Sequence, residues 1–187
     1  MGLSKRGQKQ FQHWADILKQ ETFNAVYSSD LQRTRNSAQF ILQQHGLEPV
    51  SYSELRELSF GTWEGMSVSE VERTYPGQMK ERMESVATFQ ADGGETYSQL
   101  QARVIPKFEE IVSRHPNDKI AMVCHGGVNR VILGHLLGIP IDKIFRIHQD
   151  YAALNVIQYY DQEPVVEYIG NAELFSSEKD EIKTAIQ

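Results

Sequence analysis

The chain has 187 residues, 40% of them hydrophobic and 24% charged, with a formal net charge of −6, which suits one globular domain with a sizeable core. No Lys/Arg cluster forms a basic face, which argues against nucleic acid as a partner but leaves room for small anions at a local cationic site. One cysteine, Cys124, excludes an internal disulfide; no stretch approaches the roughly 20 apolar residues of a membrane helix, no signal-peptide pattern is present, and a reducing, cytoplasmic setting is expected.

Residues 4–20 read as an amphipathic helix with Ser4 as N-cap and Phe11, Trp14, Ala15 and Leu18 on one face. Phe23 to Tyr27 is β-prone, and Ser28-Ser29-Asp30 is expected to end that strand. A second helix is expected from Asp30, carrying Leu31, Ala38, Ile41 and Leu42, with Gly46 beyond its C-terminus. Residues 50–66 read as loop. Ser67 with Glu70 is a capping-box pattern that opens a third helix, and Tyr75-Pro76-Gly77 stops it. Residues 78–87 suggest a short helix. A long one follows Gly93-Gly94 through Tyr97, Leu100, Val104, Phe108, Ile111 and Val112, with Pro106 predicting a kink or a late start.

Lys119 to Cys124 is a continuous apolar run, expected as a strand buried on both faces. His125-Gly126-Gly127 leads into a helix with Val128, Val131, Ile132 and Leu136. Leu154 to Tyr160 and Val165 to Ile169 read as two strands joined by a tight Asp161–Pro164 turn. Residues 173–187 are a polar tail. The alternation gives an α/β domain over 1–172, a three-layer sandwich with a mostly parallel central sheet, helices on both faces and room for one antiparallel edge.

Three segments carry the chemistry. Ser28 to Arg33 joins a strand end to a helix start, where an open α/β sheet binds ligands; Arg33 could aim a guanidinium at a phosphate there, although taken alone it reads better as a surface arginine on a solvated face. Glu54 to Gly65 is dense in carboxylates, aromatics and glycines. A carboxylic acid beside a leaving oxygen acts as general acid; salt-bridged surface glutamates around a buried Trp63 are the plain alternative. Val123 to Arg130 ends a strand in a histidine, two glycines and a helix start, and glycines with helix N-terminal amides favour a close anion.

In order along the chain, Leu3-Ser4-Lys5-Arg6-Gly7, Ser29-Asp30-Leu31-Gln32-Arg33, Glu57 to Gly65, Gly93-Gly94-Glu95-Thr96 and Cys124-His125-Gly126-Gly127 resemble the histidine phosphatase superfamily, the group of cofactor-dependent phosphoglycerate mutases and alpha-ribazole phosphatases. The resemblance implies a phosphoglycerate mutase-like fold and a phosphomonoester hydrolase working through a phosphohistidine on a small phosphorylated metabolite. It implies that Arg33, His125 and Gly126 hold the phosphoryl group, that Glu57 donates the proton, and that Glu64 is structural or at most a rim contact. It implies no metal and no organic cofactor, and a homodimer is compatible with it. The short span between Glu57 and the long helix, with the C-terminal hairpin, looks more like the alpha-ribazole phosphatase branch than the mutases.

The family opens on a central strand ending in Arg-His-Gly, whose histidine is phosphorylated, and no such tripeptide occurs in these 187 residues. His13, His45, His115 and His135 fall on or near helices, and His148 is the one histidine left open. The expectation is a chain lacking its first central strand and inactive by itself, through a truncation or a misplaced start codon, or else a pseudoenzyme that binds phospholigands without turnover. A rival reading takes Cys124 to Arg130 as the Cys-x5-Arg phosphate loop of a cysteine-dependent phosphatase, against Cys124 as a small buried hydrophobe.

Overall fold

Ser4 starts the first helix as expected. In the computed structural model, which describes residues 2–43 and 45–170, its hydroxyl accepts the Gly7 N–H at 3.1 Å and opens α1 (Lys5–Leu18). Trp14 and Ala15 are the buried residues of its apolar stripe. The tail at 173–187 lies outside the described residues.

β1 (Ala25–Ser29) runs two residues past the predicted apolar run. Ser28 and Ser29 continue the strand fully buried because their hydroxyls are satisfied, by Ser51 Oγ at 3.1 Å and Thr34 Oγ1 at 2.6 Å. α2 (Gln32–Leu42) then begins two residues later than Asp30, with no side-chain cap. Asp30 is engaged elsewhere: both of its carboxylate oxygens accept from the Arg56 guanidinium, each at 2.6 Å.

The 50–66 segment is more ordered than its composition suggests. β2 (Val50–Tyr52) pairs parallel to β1, and two single 3₁₀ turns follow at Ser53–Leu55 and Gly61–Trp63. Glu70 closes the capping box on Ser67 at the start of α3 (Val68–Thr74), and α4 is Gln78–Glu84. α5 (Tyr97–Ser113) starts from a Thr96–Gln99 capping box and runs through Pro106; it does not begin late.

β3 (Ile120–Val123) pairs parallel with β1, giving the order β2-β1-β3. Alternate residues face opposite layers. Val26, Ala121 and Val123 pack on Ala38, Ile41 and Leu42 of α2, while Tyr27, Ile120 and Met122 pack toward Leu55 and Ile111 of α5. Both faces of β3 are thus covered, as expected, yet Ile120, Ala121 and Met122 are only half-buried. The reason is position: among the described residues β3 pairs with β1 alone.

α6 (Gly126–Leu136) packs on α5 and on a 3₁₀ segment, Ile141–Arg146. The largest core cluster lies here, around Leu100, Val104, Phe108, Val128, Val131 and Ile144. β4 (Leu154–Tyr160) and β5 (Glu163–Gly170) form a separate antiparallel pair, not an antiparallel edge of the parallel sheet. Their turn is tighter than Asp161–Pro164: Tyr160 pairs with Glu163, so Asp161 and Gln162 alone make the loop, and Pro164 stands within β5 opposite Tyr159.

Candidate active site

Because β1 and β3 are parallel, their carboxyl ends open on the same edge, and the site residues gather there. Ser29 ends β1, Arg33 is the second residue of α2, and His125 is the N-cap residue of α6. Arg33 Nε donates to His125 Nδ1 at 3.3 Å across 92 residues of sequence. On the other side of the ring, His125 Nε2 lies 2.8 Å from Ser29 Oγ.

These contacts fix the protons of a short buried chain. Nδ1 accepts from Arg33, so a neutral ring carries its hydrogen on Nε2 and donates to Ser29. Ser29 then donates to Thr34 Oγ1, and Thr34 donates to the Leu31 carbonyl at 2.8 Å. Burial, with Arg33 and Arg103 adding to it, pushes the His125 pKa down to about 3. The imidazole is neutral at pH 7.

Glu57 arrives from the loop after β2. Its carboxylate accepts the Leu58 N–H at 2.9 Å and the Gly127 N–H at 3.2 Å, the latter at the first turn of α6. A Cβ on Gly127 would stand 2.3 Å from Glu57 Oε1, so the glycine is what lets the carboxylate sit beside the helix start. Gly126 leaves the same turn open, and its carbonyl accepts from Arg130 at 3.2 Å.

The loop bearing Glu57 is held from behind by Arg103 of α5. Its guanidinium grips Glu95 at 2.7 and 2.8 Å and donates to the carbonyls of Glu54, Arg56 and Glu57 at 2.6, 2.9 and 3.2 Å. The Asp30–Arg56 pair ties the same loop to the end of β1 and holds the Asp30 carboxyl below the usual carboxylate range. Gly61, at φ 53°, passes so close to the Asp92 carbonyl that a Cβ would stand 2.1 Å from it. Glu64 accepts the Phe60 N–H at 2.9 Å and closes the 3₁₀ turn.

The structure brings Arg33, His125, Gly126 and Glu57 to one edge. It does not bring Cys124 and Arg130 into a phosphate loop. The residues between them are already helix from Gly126, and Arg130 turns to the carbonyls of Ile147, Gly126 and Gln149. Burial, and then the Glu57 charge, pushes the Cys124 thiol up to about 12, the opposite of a nucleophilic thiolate. The other histidines are engaged elsewhere: His13 beside Trp14, His45 against Phe23, His115 with Tyr27 and Asp118, His135 with Glu109. His148 is exposed and paired with Asp150 at 3.0 Å. Sequence reasoning missed Ser29, Thr34 and Arg103 as parts of the site. A lone arginine between Leu100 and Val104 on an apolar helix was the available sign of the last.

The family model of the histidine phosphatase superfamily (branch 1) matches residues 1–172. The chain belongs to the histidine phosphatase superfamily. It is 32% identical to phosphoserine phosphatase 1 of Hydrogenobacter thermophilus over 164 residues, which is 88% of this chain and 78% of that protein. It is 30% identical to a glucosyl-3-phosphoglycerate phosphatase of Mycolicibacterium vanbaalenii over 149 residues, 75% of this chain and 65% of that one. In fold it resembles the alpha-ribazole phosphatase of Shigella flexneri, with a TM-score of 0.82 at 20% identity over 91% of this chain and 84% of that one. Among the described residues there is no cluster of metal-ligating side chains and no helix long and apolar enough to cross a membrane.

Proposed function

We propose that these residues are the phosphate clamp and proton donor of a phosphomonoester hydrolase working through a phosphohistidine on a small phosphorylated metabolite in the cytoplasm. The observation that carries this reading is Arg33 meeting His125 on one side of Gly126 while Glu57 rests on the Gly127 amide. A phosphoryl group drawn to that point meets a guanidinium, an imidazole and the first amides of α6. A histidine nitrogen attacks phosphorus and the ester P–O bond breaks. Glu57, protonated, gives its hydrogen to the leaving oxygen. Water then attacks phosphorus with Glu57 as base, the N–P bond breaks, and phosphate leaves.

The attacking histidine is not among the six of this chain, each of which has another place. A strand outside these 187 residues is the reading we favour for its source, and β3, which among the described residues pairs with β1 alone, offers the edge for it. The test is hydrolysis of 4-nitrophenyl phosphate by this chain, by an upstream-extended chain, and by Cys124→Ser, Glu57→Gln and His125→Ala variants of both. Turnover by the extended chain alone, abolished by His125→Ala and unaffected by Cys124→Ser, is expected. Activity of the 187-residue chain that Cys124→Ser removes would overturn the reading.

A further inference from the structure

In the proposed site His125 has to face two kinds of neighbour, and one placement of its proton cannot serve both. Its Nδ1 accepts the Arg33 Nε–H at 3.3 Å, so the ring carries its hydrogen on Nε2, toward Ser29. A phosphoryl oxygen held between Arg33 and the ring is itself an acceptor, and a bare Nδ1 would set two lone pairs against each other. Nδ1 must then carry a hydrogen. Charging the whole ring is the costly way to supply it, since burial, with Arg33 and Arg103 adding to it, holds the imidazole neutral.

The side chains behind the ring offer a cheaper way. Ser29 is fully buried and Thr34 nearly so, and their hydroxyls stand in series behind Nε2 at 2.8 and 2.6 Å. Three acceptors surround the Thr34 hydroxyl: Ser29 Oγ at 2.6 Å, the Ser29 carbonyl at 3.2 Å and the Leu31 carbonyl at 2.8 Å. Its hydrogen can therefore point away from Ser29 or toward it. In the first arrangement Ser29 donates to Thr34 and accepts from Nε2–H; in the second Ser29 accepts from Thr34 and donates to a bare Nε2. The turn orphans no polar group. The Leu31 carbonyl keeps the amides of Thr34 and Arg35 at 3.1 and 3.0 Å, and the Leu31 N–H stays 3.4 Å from Ser29 Oγ. A side-chain amide N–H in place of the two hydroxyls would hold the ring to one tautomer.

We infer that Ser29 and Thr34 are positioning residues that form a reversible hydroxyl relay, which lets His125 meet Arg33 as a hydrogen-bond acceptor and a phosphoryl oxygen as a donor. This rests on the proposed phosphatase site and deepens it. The proton balance is neutral: the Nε2–H bond breaks and gives its proton to water, water supplies one to form Nδ1–H, and the two hydroxyls rotate. The clamp gains a donor without burying a second cation beside Arg33.

The test is nitrogen NMR of the histidine rings in the ¹⁵N-labelled 187-residue chain, which needs no turnover, with His125→Gln identifying the His125 signals. At pH 7 the hydrogen should lie on Nε2 without phosphate and on Nδ1 when inorganic phosphate saturates the chain. Thr34→Val leaves the ring as the side-chain acceptor for the Ser29 hydrogen, so Nδ1–H should persist with and without phosphate; Thr34→Ser should restore the exchange. Ser29→Ala should weaken inorganic phosphate binding roughly tenfold, and thermal unfolding shows whether each variant keeps the fold. A phosphate-bound ring with hydrogen on both nitrogens, one that keeps Nε2–H, or an exchange that survives Thr34→Val overturns the relay. Failure of inorganic phosphate to bind overturns the site reading beneath it.

Discussion

Two residues of the site make sharp demands. Gly127 must lack a side chain, since a Cβ would stand 2.3 Å from Glu57 Oε1. Gly127→Ala should displace the carboxylate and lower kcat by roughly a hundredfold in the active form of the chain, with the phosphate affinity proposed for Arg33 and His125 nearly unchanged. Steady-state kinetics beside phosphate titration separates the two effects. His125 makes the other demand. Its pKa is about 3 in the folded chain and about 6.5 when unfolded. Between these values the unfolded state binds the extra proton, so stability is intact above pH 6.5 and falls as pH drops toward 3, by up to about 1.4 kcal/mol per unit. Urea unfolding from pH 7 to 4 should show this slope, and His125→Gln should lose its share of it.

At the level of elements, the β4–β5 hairpin turns on Asp161 at φ 49° and Gln162 at φ 74°, a two-residue loop with both residues left-handed. Glycine suits the second position better than glutamine, so Gln162→Gly should stabilise the domain by about 0.5 kcal/mol, read as a rise in Tm. The hairpin also shows what sequence patterning reaches. Its strands follow from alternation, but the turn length depends on whether Pro164 is placed in the loop or in β5, and pairing with Tyr159 decides that. The helices were legible because their caps are local: Ser4, Ser67 with Glu70, and the spacing of Leu100, Val104 and Phe108. β2 was not, because a three-residue strand carries too few positions for a period. Arg33, His125 and Glu57 were legible through ordered motifs, whereas Arg103 acts through backbone carbonyls brought near it only by folding. Ser29 and Thr34 went unread for a similar reason, since a buried hydroxyl shows its purpose only beside the ring it orients.

At the scale of the whole molecule, the clamp is a long-range structure. Arg33 and His125 meet across 92 residues, and they do so because β1 and β3 pair in parallel with Ala25 opposite Ile120. The α1–α2 contacts and the capping boxes are local by comparison and require little chain closure. The cost of closing the loop from β1 to β3 comes before the sheet contacts repay it, which slows that step relative to helix formation. The proposed anion site therefore serves as a clock for folding. In a stopped-flow refolding experiment far-UV helix signal should recover first, and phosphate-dependent protection should appear only in the slower phase that completes the parallel sheet. Phosphate present during refolding should slow unfolding and leave the folding rate unchanged, since its binding surface does not exist until the two strand ends lie side by side.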